Sequence, residues 1–244
     1  MNVIINETDP KGRETLNVIS KADKFNNWMY QTIKPFCKGK IIEIGSGIGN
    51  ISQYFLSENF KILLSDLRKE YCELLEKQFN DNPNFLGTEM IDIVSDKFDS
   101  KYANYLGKFE TVYSLNVIEH VEDDYLFAKN SSKLLQNDGH LILLAPAFQS
   151  LYNNFDKSVG HFRRYDRNRL RSVFSDNFKI IHTQYFNAAG ILGWYLSGKI
   201  LKNKIIPKSQ MRLYNYLVPV FQLLDKALFN QIGLSVIVVG KKMI

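Results

Sequence analysis

The sequence predicts an α/β protein built on a doubly wound sheet, and three observations carry that prediction. From residue 40 onward, short β-branched runs alternate with stretches of helical periodicity. Several of the runs are apolar at successive positions, as strands covered on both faces must be. The first run ends in a cluster of glycines that leads into a helix, the arrangement in which an open α/β sheet binds ligands beyond the carboxyl ends of its strands.

The elements follow in chain order. Residues 40–44 (KIIEI) form the first strand, the glycines follow, and a helix occupies 50–56. Residues 61–65 (KILLS) are the second strand, followed by a helix over 68–79 in which Leu74, Leu75 and Phe79 recur at helical spacing. Residues 85–90 are a weaker third strand and 109–115 (FETVYSL) a fourth. A helix then runs over 123–135 with Asp123 or Asp124 as its cap. Asn137-Asp138-Gly139 marks a turn before the fifth strand at 140–145 (HLILLA). Pro146 opens an irregular stretch that reaches Tyr165, and Asp166 caps a short helix to about Ser175. Residues 178–186 and 234–239 are the last two strands. The long connection between them reads as two helices broken near Pro207, too long to be idle. The chain is thus expected to be one domain: a helical cover over 1–39, a cofactor-binding core over 40–187, a helical insert over 188–232 and a last strand over 233–244.

The 244 residues carry 31 Lys and Arg against 25 Asp and Glu, with 45% apolar residues, a balance that excludes disordered and low-complexity classes. The net +6 is unevenly placed. Residues 191–244 hold eight basic side chains against the single acid Asp225, and 157–171 hold six against Asp166, so the rest of the chain is net acidic. Two cysteines, Cys37 and Cys72, form neither a disulfide framework nor a metal-ligand spacing. No signal peptide is visible and no apolar run approaches the ~20 residues of a membrane span. The expectation is a cytoplasmic protein.

The glycine cluster is the first chemical signal. In Glu43-Ile44-Gly45-Ser46-Gly47-Ile48-Gly49-Asn50, Gly45 and Gly47 let the backbone turn sharply where a Cβ would clash with a ligand. Asp66 ends the second strand, where its carboxylate can take both hydroxyls of a ribose. The spacing is G-x-G-x-G rather than the G-x-G-x-x-G of dinucleotide sites, and Glu43 precedes it. A carboxylate so placed would repel a pyrophosphate and suits a ligand bearing an ammonium and a sulfonium, such as S-adenosylmethionine. Asp92, after the third strand, can receive an adenine amino group.

Four blocks in order, IIEIGSGIGN, the acid of LLSDL, SLNVIEHVEDD and LLQNDGHLILLAPA, resemble the class I S-adenosylmethionine-dependent methyltransferases. The likeness is to the small-molecule group that includes the ubiquinone-pathway O-methyltransferases. LYNNFDKSVGHFRRYDRNRLRSVF and the closing GLSVIVVGKK resemble a narrower subgroup. The resemblance implies a Rossmann-like, seven-stranded sheet whose last strand is antiparallel. It also implies a cofactor site made of Glu43, Gly45, Ser46, Gly47, Asp66, Leu67, Asp92 and Ile93, with Leu115 and Asn116 beside the methionine part. The helix around Asn26, Asn27, Trp28 and Tyr30 would cover the cofactor.

Methyl transfer is an in-line displacement, so the protein must align the reactants, exclude water and, for a hydroxyl acceptor, remove a proton. Two histidines are candidate bases, His120 in NVIEH and His161 in GHFRRY; each can equally be a structural residue of its loop. Arg163, Arg164 and Tyr165 could bind an anionic acceptor or pair with Asp156 or Asp166. Some ubiquinone-pathway relatives bind a divalent metal through two acids and the histidine of this block. Asn116 stands at the first acid position, so no metal is expected. Residues 188–221 combine an apolar, aromatic face (Ile191, Leu192, Trp194, Tyr195, Leu196, Ile200) with Lys199, Lys202 and Lys204. That composition fits a roof over the site, a dimer contact or peripheral attachment to an anionic membrane.

The expected activity is methyl transfer to a small or lipid-linked acceptor, on oxygen, by a monomer or homodimer. The competing readings are a cofactor-binding module without catalysis, a nicotinamide-dependent oxidoreductase and an RNA methyltransferase. Against the last, no aromatic-interleaved basic groove is present, and no nucleic-acid partner is expected.

Overall fold

The computed structural model describes residues 10–174, 176–196 and 207–243. Seven strands, β1 (Ile41–Ile44), β2 (Ile62–Asp66), β3 (Phe85–Met90), β4 (Phe109–Leu115), β5 (Leu135–Pro146), β6 (Phe178–Phe186) and β7 (Ser235–Lys242), form one sheet in the order β3-β2-β1-β4-β5-β7-β6. β1 pairs in parallel with β2 on one side and β4 on the other, and β7 runs antiparallel between β5 and β6. The chain therefore winds outward from β1 to β3 and crosses back to β4, which leaves a crevice at the carboxyl ends of β1 and β4. The antiparallel last strand is as the sequence resemblance implied.

The helices lie on both faces: α1 (Pro10–Ile19), α2 (Asp23–Ile33), α3 (Ser52–Ser57), α4 (Lys69–Phe79), α5 (Phe98–Lys101), α6 (Asp124–Leu134), α7 (Asn154–Ser158), α8 (Arg167–Ser172), α9 (Ala188–Trp194) and α10 (Lys208–Ala227). Strand pleat sorts the apolar runs between the two faces. Ile42, Val112, Leu141, Leu143 and Val238 join a core with Phe98, Phe127 and Leu170. Their neighbours Ile41, Tyr113, Ile142, Leu144 and Val239 join the opposite core with Tyr30, Phe55 and Val218. This is why those runs are apolar without alternation. Asp123 caps α6 by accepting from the Leu126 N–H at 2.8 Å, and Asp166 caps α8 by accepting from the Arg169 N–H at 2.8 Å.

Three features depart from the expected elements. β5 starts at Leu135 rather than 140: Leu135 pairs with Phe109 and His140 with Thr111, so the Asn137-Asp138-Gly139 turn is extruded as a bulge inside the strand. The bulge keeps apolar residues in register on either side, and Asp138 sits at φ 63 within it. Inside the stretch expected to be irregular lies α7, opened by a reciprocal capping box between Asn153 and Asp156. Finally, α10 begins after Pro207 as expected, but runs through Pro219. Lys199, Ile200, Lys202 and Lys204 lie outside the described residues.

Leu143 is fully buried at the centre of the sheet, whereas Leu223 on α10 is exposed. Leu143→Ala should lower unfolding stability by roughly 2–5 kcal/mol and Leu223→Ala by less than about 0.5 kcal/mol, measured by urea denaturation.

Candidate active site

The glycine loop is tied to β2 by backbone geometry. The N–H groups of Gly45 and Ser46 both donate to the Ser65 carbonyl at 2.8 Å, and the Ser65 N–H donates to Ser46 Oγ at 3.1 Å. Gly45 adopts φ +80, and a Cβ there would overlap Val117, so the loop after β4 rests directly on it. Asp66, buried at the end of β2, accepts from the N–H groups of Gly47 and Arg68, each at 3.0 Å. Those bonds hold the carboxylate at the loop. Burial raises the Asp66 carboxyl above the usual range, outweighing the N–H bonds that favour its charge. Glu43 lies beneath the loop with its carboxylate accepting from Ser52 Oγ, and burial pushes it up to about 7.

The rest of the expected cofactor set lies along the same edge. Asp92 follows β3 and accepts from the Val94 N–H at 3.2 Å, leaving a carboxylate oxygen uncommitted within the protein. Leu67 is half-buried beside Asp66, and Ile93 turns its side chain into the core. Leu115 and Asn116 end β4; Asn116 is exposed at φ 56 and donates its N–H to the Leu144 carbonyl at 2.9 Å. The helix resting on the glycine loop is α1: Leu16 faces Gly47, and its carbonyl accepts from Asn50 Nδ2 at 3.2 Å. Trp28 on α2 packs in the core against Phe186, with ring centroids 4.4 Å apart. The sequence had a signal at Leu16 only in its helical stretch; what Leu16 touches depends on the tertiary fold.

Beyond Val117 the chain forms a tight turn, Ile118–His120, which brings Glu119 and His120 to face His161. The two imidazole rings meet edge to face with centroids 4.6 Å apart. His161 Nδ1 bonds Asp156 Oδ1 at 2.8 Å, and its Nε2 faces Glu119 Oε1 at 3.8 Å. Asp156 is fully buried and also accepts from Arg164 Nε at 2.9 Å and the Asn153 N–H at 2.9 Å. Burial works to raise the Asp156 carboxyl, but the bonds from His161 and the charge of Arg164 outweigh it and hold it below its ordinary value. An ionised Asp156 favours a proton on His161 Nδ1 and turns Nε2 toward Glu119. Burial first, then the charges of His161 and Arg68, hold His120 down to about 3. Glu119 is buried with neither carboxylate oxygen hydrogen-bonded, and burial pushes it up to about 7.

The three expected acceptor-binding residues are engaged with the protein itself. Arg164 donates to Asp156 and to the Ala147 carbonyl and stacks on Trp194 at 4.4 Å. Tyr165 is fully buried and donates its hydroxyl to Asp124 Oδ2 at 3.0 Å. Arg163 pairs with Asp124 at 3.0 Å and donates to the Glu122 carbonyl at 2.8 Å. Asp156 was visible in sequence only as a pairing partner for the arginines. Its place behind His161 depends on α7, whose five residues are too few for periodicity to reveal. Glu119, His120 and His161 also bring ligand-type atoms within 4.8 Å of one another.

Comparison with known proteins agrees with this geometry. Residues 42–141 match a family model described as a methyltransferase domain. No curated protein sequence matches the chain. Among solved structures, the chain is similar to one in the complex between the Haloferax volcanii Trm112 methyltransferase activator and a methyltransferase. That match has TM-score 0.62 and 11% identity and covers 97% of this chain and 99% of that one. It is similar to geranyl diphosphate methyltransferase in complex with S-adenosylmethionine (TM-score 0.62, 8% identity, 91% and 85% covered). It is also similar to Haemonchus contortus phosphoethanolamine N-methyltransferase 2 with the same cofactor (TM-score 0.60, 13% identity), covering 90% of this chain but only 52% of that one. Residues 42–141 thus carry a match to a methyltransferase domain, and the fold and glycine loop are those of the class I S-adenosylmethionine-dependent methyltransferases. Within that class the matched stretch runs from β1 into β5. The comparisons do not single out the ubiquinone-pathway group, since carbon and nitrogen methyltransferases are also among the similar structures.

A carboxyl group raised on folding stabilises the protein below its unfolded pKa and loses that contribution as pH rises through its folded value. For Glu43 the window lies between its ordinary value of 4.5 and about 7. Glu43→Gln should therefore be more stable than the wild type above about pH 8, by up to roughly 3 kcal/mol, with the gain vanishing near pH 4.5. Urea unfolding across that range checks the sign.

Proposed function

We propose that this chain transfers the methyl group of S-adenosylmethionine to a hydroxyl of a small or lipid-linked acceptor, and that His161 takes the hydroxyl proton. The observation that carries the reading is the Asp156–His161 pair: a buried carboxylate orients an imidazole whose Nε2 faces Glu119 at 3.8 Å, beyond hydrogen-bond distance. The site chemistry fits the cofactor, because a held, buried carboxylate at the tip of β2 and a cradle closed to any Cβ at Gly45 are what a nucleoside bearing an amino acid requires. Asp66 would hold the ribose, Asp92 would take the adenine amino group, and Leu67 and Ile93 would lie at the adenine end. Gly45, Ser46, Gly47, Leu115 and Asn116 would surround the methionine part. When bound, the cofactor supplies an activated methyl on a sulfonium.

The chain's own contribution is alignment and one proton. His161 Nε2 accepts the acceptor proton, and Asp156 steadies the resulting imidazolium through the Nδ1–H bond. Arg164 acts behind them by fixing Asp156, a positioning role that its burial favours over contact with the acceptor. His120, held so far below neutrality, is a weak base and serves as a wall against which His161 packs. Among the described residues no helix is long and apolar enough to cross a membrane, so a lipid-linked acceptor would be met at a surface.

With methyl-labelled cofactor and cell extract, His161→Ala should cut label transfer by about 10²–10⁴-fold while leaving thermal stabilisation by S-adenosylhomocysteine intact. Asp66→Ala should abolish that stabilisation. Stabilisation by NADH instead would point to an oxidoreductase, and label entering RNA alone would end the small-acceptor reading. Undiminished transfer in the His161 variant would remove it as the base.

A second reading rests on the unpartnered carboxylate of Glu119. With His120 and His161 it could ligate a divalent cation, Asp156 then orienting a metal-bound imidazole. Under this reading Zn²⁺ or Mn²⁺ raises the thermal midpoint of the wild type but not of Glu119→Gln, and EDTA abolishes transfer. Under the proton-transfer reading, neither ion nor chelator changes midpoint or rate.

A further inference from the structure

α10 is apolar on more than its inner side. Met211 and Val218 are buried, and Tyr214 and Phe221 pack against the cores formed with α1 and α2. A second stripe points outward: Leu213, Tyr216, Val220 and Leu223 recur at spacings of three and four and are 62%, 73%, 59% and 66% exposed. The stripe is continued by Phe229, which is 80% exposed. Beside it an open groove of about 410 Å³ separates α9 from the end of α10, lined by Leu192, Tyr195, Leu224 and Leu228. So wide an exposed apolar face is uncommon on a protein that stays in water alone.

The charges around the face indicate what covers it. Lys24 lies over the Tyr216 ring at 5.4 Å, Lys208 and Arg212 stand exposed at the start of α10, and Lys226 near its end. None of Lys208, Arg212 and Lys226 is in an ion pair among the described residues. The single acid of α10, Asp225, turns inward, where it accepts from the N–H groups of Asn187 and Ala188 at 2.6 and 2.8 Å. The outer face of α10 is therefore apolar, with cations at both ends and no acid of its own. A second copy docked by a two-fold axis would set these cations against their own images. A surface of acidic lipid headgroups complements both features, taking the apolar stripe into the acyl boundary and the cations at the phosphates.

We infer that the α9–α10 face docks this protein on an anionic membrane surface, with the groove between the helices receiving an acyl chain. The placement is apt for the site: α9 starts at the carboxyl end of β6, and Trp194 at its end stacks on the Arg164 that fixes Asp156. Docking would thus turn the acceptor cleft toward lipid. It deepens the lipid-linked reading of the acceptor but is measured without acceptor or cofactor, so the two can fail separately.

The test is sedimentation of the full chain with vesicles of equal parts phosphatidylcholine and phosphatidylglycerol, against vesicles of phosphatidylcholine alone. The wild type should bind the mixed vesicles at least about tenfold more tightly and should release as salt is raised. Leu213→Glu with Leu223→Glu should lose about tenfold or more of that binding. The double variant should keep its thermal midpoint and its stabilisation by S-adenosylhomocysteine, because both leucines are exposed on the outer stripe of α10. Lys208→Glu with Arg212→Glu should weaken binding to the mixed vesicles only. Binding unchanged in both variants, or no binding by the wild type, would overturn the inference. So would light scattering that shows a dimer in solution which the leucine variant dissociates, since the face would then be covered by a second copy.

Discussion

Gly45 has no side chain, and Val117 occupies the space where one would be. That approach joins the two halves of the site. On one side are the strands and the glycine loop that present Asp66; on the other is the turn that carries Glu119 and His120 toward His161. A substituent at Gly45 would both strain a backbone at φ +80 and push the β4 loop away from the crevice. The glycine loop and the turn that carries Glu119 and His120 thus meet at one close approach, which the pairing of β1 with β4 and the bond from Ser114 Oγ to the Ile44 carbonyl keep in place. The Ser65 carbonyl anchors the loop from below, and the Asn116 N–H bonded to Leu144 anchors the turn from the side of β5.

The parts of this arrangement that were legible in sequence are those fixed by local rules. Strands covered on both faces show as unbroken apolar runs, and Asp123 and Asp166 announce helix starts because a short carboxylate there satisfies free N–H groups. Gly45, Gly47 and Asp66 could be read together because a strand end, a tight turn and an acid on the next strand form a local pattern. What sequence did not reveal depends on contacts between distant segments. Leu16 reaches Gly47 only once α1 is folded across the loop. Asp156 stands behind His161 because a five-residue helix turns it there, with no periodicity to mark it. The arginines of GHFRRY are ambiguous by composition, since the same side chain can clasp a ligand or hold a carboxylate. Burial of Arg164 against Asp156 and Trp194 is what separates the two roles.

Charge is distributed with the same economy. The carboxylates that matter at the crevice, Glu43, Asp66, Glu119 and Asp156, are all buried, and burial raises the first three while only Asp156, with cationic partners, is held below its ordinary value. Asp156, with a guanidinium and an imidazole beside it, is kept ionised, while Glu43 and Glu119 are raised to about 7. The excess of basic side chains in the C-terminal part of the chain lies outside this set. The net charge of the whole chain is therefore a poor guide to the field at the crevice, where buried acids outnumber cations.

The stacking of Arg164 on Trp194 has an optical consequence. Trp194 also donates its indole N–H to the Leu151 carbonyl at 3.1 Å and packs edge to face on Phe155 at 4.9 Å. The ring is thereby held between α9 and the loop that carries the Asp156–His161 pair. The chain's other tryptophan, Trp28, is buried in the opposite core. The emission of Trp194 is therefore an intrinsic gauge of how Arg164 is seated, and replacing Trp28 with phenylalanine would leave a single tryptophan, excited selectively at long wavelength, that reports on the site without any added label.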